Sequence, residues 1–173
     1  GDKKIGVITL LGQSGFPRVH LSNPFTFLPE LVSRVKQETP IIIVDFHATT
    51  TAEKYSMFHH ADGTVTAVIG SHTKVLSADE DIFDKGTGAI CDTGRTGSFM
   101  SVGGLEPETE IRQLTTQVPE RSKEYWEDLE LQGVILDVNE EGKTEHIQRL
   151  RYPIPRDNGP EHKSERKDMK ERA

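Results

Sequence analysis

Apolar positions along this chain fall into short runs and periodic stretches, separated by turn residues. Lys3 to Leu11 is β-branched and apolar behind a charged lead-in, which predicts a strand. Gly12 to Phe25, rich in Gly, Ser and Pro, reads as a loop. Thr26 to Glu38 then places Phe27, Leu28, Leu31, Val32 and Val35 at near-helical spacing and predicts an amphipathic helix. Pro40 ends it and opens Ile41 to Asp45, a run that reads as a buried strand with a polar terminus. Thr51 to His60 predicts a second helix, with Ala52, Tyr55 and His59 on one face. A turn at Asp62-Gly63 leads into a strand over Thr64 to Gly70. Ile82 to Cys91 predicts a short strand pair around Asp84-Lys85-Gly86, whereas Glu106 to Gln117 fits helix and strand alike. Gln132 to Val138 and Thr144 to Leu150 flank Asn139-Glu140-Glu141-Gly142 and predict a closing β-hairpin. Strands mixed with two early helices, then mostly strands, indicate an α/β or α+β fold.

Composition divides the chain in two. Its 173 residues suit one domain, yet only 34% are hydrophobic. Part of that deficit lies past Pro153, where charges of both signs replace apolar side chains. Residues 1–152 are therefore read as domain and 153–173 as a disordered charged tail. A single cysteine excludes a disulfide framework and a Cys-rich zinc module, and suits a reducing cytoplasm. The longest apolar run, Ile41 to Val44, is far short of a membrane span, and no basic-then-apolar leader opens the chain. A net charge of −7 without a basic cluster argues against broad binding to a nucleic-acid backbone. Gly1-Asp2 suits a tight hairpin turn. With nothing before it, the dipeptide reads either as a frayed end or as the turn after a strand in an absent upstream segment.

Two sites stand out for chemistry. Asp45-Phe46-His47 and Gly70-Ser71-His72 each lie at the carboxyl end of a predicted strand, where ligands of α/β sheets gather. Neutral imidazoles there suit Zn, Fe, Mn or Ni, although isolated histidines also serve as loop or packing residues. A metal centre wants at least three protein ligands. Asp45, Glu53, Asp79 and Asp92 are available carboxylates, none at a recognised ligand spacing. Gly94-Arg95-Thr96-Gly97-Ser98 reads as a plain turn or as an amide-lined nest with Arg95 clamping a phosphate. It lacks the Gly-Lys-Ser/Thr ending of a P-loop. His59-His60 reads as a helix end, Cys91 as a small buried thiol, and Tyr125-Trp126 as a half-buried anchor rather than a partner-facing patch.

Several of these segments together carry a resemblance. They are Lys3 to Leu11 with Gly12, Asn23-Pro24-Phe25, Val44-Asp45-Phe46-His47-Ala48, Glu53-Lys54, Gly70-Ser71-His72-Thr73 and Ala78-Asp79-Glu80. Asp92-Thr93-Gly94-Arg95-Thr96-Gly97 and Gly133 to Asp137 follow in the same order. Over residues 1 to 151 the chain resembles the C-terminal half of the YmdB-like metallophosphoesterases, a branch of the calcineurin-like superfamily. The resemblance implies two facing sheets flanked by helices, so that this chain is a partial sandwich with a mixed sheet and a C-terminal hairpin. It implies hydrolysis of phosphodiesters, cyclic nucleotides among them, by a hydroxide bound to divalent iron or manganese. His47 and His72 match ligand histidines that serve one metal ion. A further ligand histidine of the family is Lys74 here, a poor ligand because its ammonium carries no free lone pair. Its expected role is one of charge, filling part of a cation's space to offset carboxylates or hold a phosphate.

The remaining family ligands, an Asp, a Glu and Asn residues, and the histidine that protonates the leaving group belong to an N-terminal half that this sequence does not contain. The expectation is an incomplete site, inactive alone, whose partners are that half, a phosphodiester small molecule and further copies of the chain. The rival expectation is a metal-depleted pseudoenzyme module retained for assembly or ligand sensing, which Lys74 favours. A freestanding small α/β binding domain is the third.

Overall fold

The computed structural model describes residues 3–16 and 22–155. The expectations for Gly1-Asp2 and for the tail from Arg156 onward lie outside those residues. The elements are β1 (Gly6–Leu11), α1 (Pro24–Val35), β2 (Ile42–His47), α2 (Thr51–Ala61), β3 (Ala67–Ser71), β4 (Asp81–Ile82), β5 (Gly88–Ile90), β6 (Gly97–Ser98), α3 (Pro107–Thr116), β7 (Leu129–Val138) and β8 (Thr144–Pro153). They form a mixed five-stranded sheet ordered β1-β2-β3-β5-β4 and an antiparallel sheet ordered β6-β7-β8. In the first sheet β1, β2, β3 and β5 run parallel, and β4 folds back on β5.

Local chemistry explains the boundaries. Asn23 caps α1 by accepting a hydrogen bond from the Phe25 amide at 2.9 Å, and Pro24 occupies the first turn, where no amide is needed. The helix stops at Val35, earlier than the apolar spacing suggests. The amides of Gln37 and Glu38 bond three residues back, to Arg34 and Val35, and tighten the chain into a turn. Glu106 to Gln117, ambiguous by pattern, is helical: Pro107 starts α3 and Gln117, at φ 58, ends it in the left-handed region.

The core lies between the helices and one face of the first sheet. Ile8 and Leu10 of β1 pair with Val44 and Phe46 of β2 and pack with Leu28, Val32, Met57, Phe58 and Ala61 of α1 and α2. Ile41 to Asp45 reads as a buried strand with a polar terminus, and β2 alternates: Ile42, Val44 and Phe46 are buried, Ile43, Asp45 and His47 half-buried. That alternation sends Asp45 and His47 to the side away from the helical core.

A buried threonine pair joins the sheets. Thr66 accepts the Ile42 amide at 2.9 Å through its hydroxyl, and its carbonyl accepts the Thr144 hydroxyl at 2.7 Å. The Thr144 amide bonds the Gly86 carbonyl at 2.9 Å. The β7–β8 hairpin is thus fastened to the first sheet by its turn end.

Candidate functional site

Parallel registry aligns three strand termini. Leu11 pairs with His47, and His47 with Ser71. Beyond Ser71 the chain reverses through two residues in the left-handed half of backbone space, His72 at φ 133 and Lys74 at φ 62. Such backbone is costly for residues with a Cβ and gathers at working sites. The reversal carries His72 back over the strand ends, where its Nδ1 lies 3.4 Å from His47 Nε2. Phe16, from the loop after β1, stacks on the His47 ring at 5.9 Å and meets His72 edge-on at 5.8 Å.

A polar chain orients His47. The Ser71 hydroxyl donates to Asp45 Oδ1 at 3.3 Å and stands 3.1 Å from His47 Nδ1. A hydroxyl has one proton to give. With that proton directed at Asp45, Ser71 accepts from His47 Nδ1–H. The lone pair of neutral His47 then sits on Nε2, facing His72. Asp45 and Ser71 therefore act behind the imidazole, fixing its tautomer and orientation.

Two adjacent residues of α2 hold the loops that shape this site. The Glu53 carboxylate accepts the amides of Gln13 and Ser14 at 2.6 and 3.0 Å, fixing the loop that presents Phe16. Lys54 pairs with Asp92 at 3.5 Å, each 1% exposed. Asp92 in turn accepts the amides of Thr73 at 2.7 Å and Gly94 at 2.9 Å. Thr73 lies between His72 and Lys74, so the buried ion pair anchors the strained reversal. The helix face expected to carry Ala52, Tyr55 and His59 is not the buried one. Glu53, Lys54, Met57, Phe58 and Ala61 face inward instead, because the two charged groups find partners inside.

These contacts decide what the carboxylates can do. Glu53 and Asp92 are engaged structurally, and Asp79 accepts the Cys91 amide at 3.2 Å. Among the described residues no group of three or more His, Cys, Asp or Glu side chains is placed to hold a metal ion. His47 and His72 do fit two positions around one ion. Two nitrogens each about 2.0–2.1 Å from a tetrahedral metal stand about 3.3–3.4 Å apart. The observed separation matches, and any further donors lie beyond the described residues.

Lys74 and Arg95 are brought together at a neighbouring cavity of about 250 Å³. Its lining begins at Thr73, one residue past His72. The Arg95 amide donates to Gln132 Oε1 at 3.0 Å, tying this loop to β7, and its guanidinium reaches Ser101 Oγ at 3.4 Å.

The other singled-out residues are structural. His60 closes α2 through a 2.7 Å contact with the Phe25 carbonyl, and His59 meets Phe83 edge-on. Burial, reinforced by Asp79, pushes the Cys91 thiol up to about 12, so it stays protonated and unreactive. Burial works against the Asp79 carboxylate, but hydrogen bonds from Cys91 and Ser77 outweigh it and leave its pKa lowered. Tyr125 is half-buried, but Trp126 is 67% exposed, so the expected aromatic anchor is Tyr125 alone. The Tyr125 amide is fixed to the Gly104 carbonyl at 2.9 Å, and the next side chain points away.

The architecture is a mixed α/β sheet with two histidines at its parallel strand ends and an antiparallel sheet fastened beside it. The sequence model of the YmdB-like protein family matches residues 1–150, and the chain belongs to that family. It is 37% identical over 141 residues to the 2',3'-cyclic-nucleotide 2'-phosphodiesterase of Bacillus subtilis strain 168, covering 82% of this chain and 53% of that relative. The fold superposes on the crystal structure of a phosphatase from Mycoplasma pneumoniae with a TM-score of 0.76 at 36% identity, over 85% of this chain and 52% of the other. A hypothetical protein from Thermus thermophilus matches with a TM-score of 0.76 at 29% identity, over 86% of this chain and 57% of the other. The chain thus spans about half the length of these relatives. Among the described residues, no helix is long and apolar enough to cross a membrane.

Proposed function

We propose that this chain is the C-terminal part of a metal-dependent phosphodiesterase, contributing two imidazole ligands to a centre completed by residues outside the chain. The observation that carries this reading is the approach of His47 Nε2 to His72 Nδ1, 3.4 Å, at the aligned ends of parallel strands. Family membership and the phosphodiesterase relative support the substrate class, phosphodiesters such as cyclic nucleotides. A divalent ion of the iron or manganese kind, when bound, polarises the phosphoryl oxygens and supplies a nucleophile at neutral pH.

The chain's own residues prepare that role. Asp45 and Ser71 keep the His47 lone pair on Nε2. Phe16 packs against both imidazoles and helps to orient them. Asp92, neutralised by Lys54, holds the reversal that delivers His72. With two donors in hand, the chain alone is inactive on this reading.

Metal analysis of the intact gene product tests the proposal. His47→Ala and His72→Ala each lower metal content and phosphodiesterase activity, and Ser71→Ala weakens metal affinity about 10–100-fold. Unchanged metal content in both histidine variants would sink the reading. Lys74 supports a second reading, a module that has lost metal chemistry and is kept for assembly or ligand sensing. Turnover by the intact protein with Lys74 in place excludes it; turnover gained only with Lys74→His favours it.

A further inference from the structure

The cavity beside the histidine pair has the chemistry of an anion site. In a chain of net charge −7, four basic side chains converge on it, Lys74, Arg95, Arg149 and Arg151. Two are already neutralised. Arg149 pairs with Glu80 at 2.6 Å, and Arg151 makes a bidentate pair with Glu130 at 2.8 and 2.9 Å. Lys74 and Arg95 have no carboxylate partner among the described residues, so two positive charges remain on the cavity wall.

The Arg95 head group is also held in place. A Cβ on Gly97 would stand 2.2 Å from its Nη2, and one on Gly104 would stand 2.9 Å from its Cζ. Glycine at both positions leaves the backbone free to approach the guanidinium, and Ser101 Oγ lies 3.4 Å from Nη1. A cation ordered before a ligand arrives loses less entropy on binding. At the same wall Ser98 is 5% exposed, and its hydroxyl oxygen has no hydrogen-bond partner among the described residues.

We infer that the Lys74–Arg95 cavity binds a phosphate group of the ligand separate from the phosphodiester held at the histidines. A planar guanidinium suits paired phosphate oxygens, and the lysine adds a compact charge beside it. The preferred substrate class is accordingly a phosphodiester bearing a second phosphate, such as a 5'-phosphorylated cyclic nucleotide or a short 5'-phosphorylated oligonucleotide. That substrate assignment rests on the phosphodiesterase reading above; the anion site itself does not.

Calorimetric titration of the intact protein, stripped of metal with EDTA, separates the two. Pyrophosphate is the probe, with malonate as the dicarboxylate control. Binding is expected to weaken about tenfold to a hundredfold in Arg95→Gln and in Lys74→Gln, and to weaken with added salt. Lys74 is exposed, so Lys74→Gln keeps the test alive should Arg95→Gln fail to fold. Equal pyrophosphate affinity in wild type and both variants, or malonate binding as tightly as pyrophosphate, overturns the phosphate site. A metal-free protein that still binds pyrophosphate through Arg95 upholds it even where metal analysis has refuted the catalytic proposal. With metal restored, a 5'-phosphate on a 2',3'-cyclic nucleotide is expected to lower KM about tenfold, an advantage lost in Arg95→Gln. The same KM with and without that phosphate overturns the substrate assignment.

Discussion

Replacing Lys54 by methionine isolates the part of the structure on which the site most depends. The ammonium is 1% exposed and sits 3.5 Å from Asp92, itself 1% exposed. Methionine fills similar volume but leaves the carboxylate buried with only the amides of Thr73 and Gly94 for company. Removing one partner of a buried pair typically costs about 3–5 kcal/mol. Against a total stability of about 5–15 kcal/mol, that is about a fifth or more of what holds a domain together. Asp92→Asn strands the lysine and is expected to cost a similar amount. The double variant removes both charges and leaves one backbone amide short of an acceptor, about 1–3 kcal/mol. Urea unfolding of the four proteins gives the coupling directly, from midpoints at unchanged slope. A loss below about 1 kcal/mol in Lys54→Met, or single-variant losses that add within about 0.5 kcal/mol, would refute the account of Lys54–Asp92 as an interdependent buried pair.

Two further outcomes follow from packing and protonation. A Cβ on Gly70 would lie 2.1 Å from the Cys91 carbonyl oxygen, whereas one on Gly133 meets nothing within 4 Å. Gly70→Ala is therefore expected to destabilise by at least about 1–3 kcal/mol and Gly133→Ala by none, read as thermal midpoints; equal shifts would contradict the close approach of β3 to the end of β5. The Cys91 thiol, raised from an ordinary value near 9 to about 12, contributes stability that is whole below pH 9 and is lost as pH climbs toward 12. Over that window the urea midpoint of the wild type should fall more steeply than that of Cys91→Ala, and parallel slopes would show that the thiol titrates normally.

Much of the fold is legible in the sequence because its strands are β-branched runs bounded by Pro40, Asp62-Gly63 and the Asn139–Gly142 turn. The strand-end positions of His47 and His72 are legible for the same reason. The inner face of α2 is not. Its buried set includes Glu53 and Lys54, which any hydropathy pattern turns outward, and their partners lie in remote loops. Asp92 likewise reads as one of several spare carboxylates until the fold places it under Thr73. Nor does spacing show that Lys74 and Arg95 share a cavity, since each comes from a separate strand-end loop and the wall opposite belongs to β7 and β8.

The threonine that fastens the hairpin bears on the order in which the chain folds. Thr144 and Thr66 are 78 residues apart in sequence, yet share one buried hydrogen bond. The β7–β8 pairing needs only a short turn and can form within microseconds, while docking it must close that long loop. Docking therefore carries the larger loop-closure cost of the two. The hairpin can exist before its resting place on the first sheet does, and the Arg95 cavity, walled from both sides, comes into being only once the two have met.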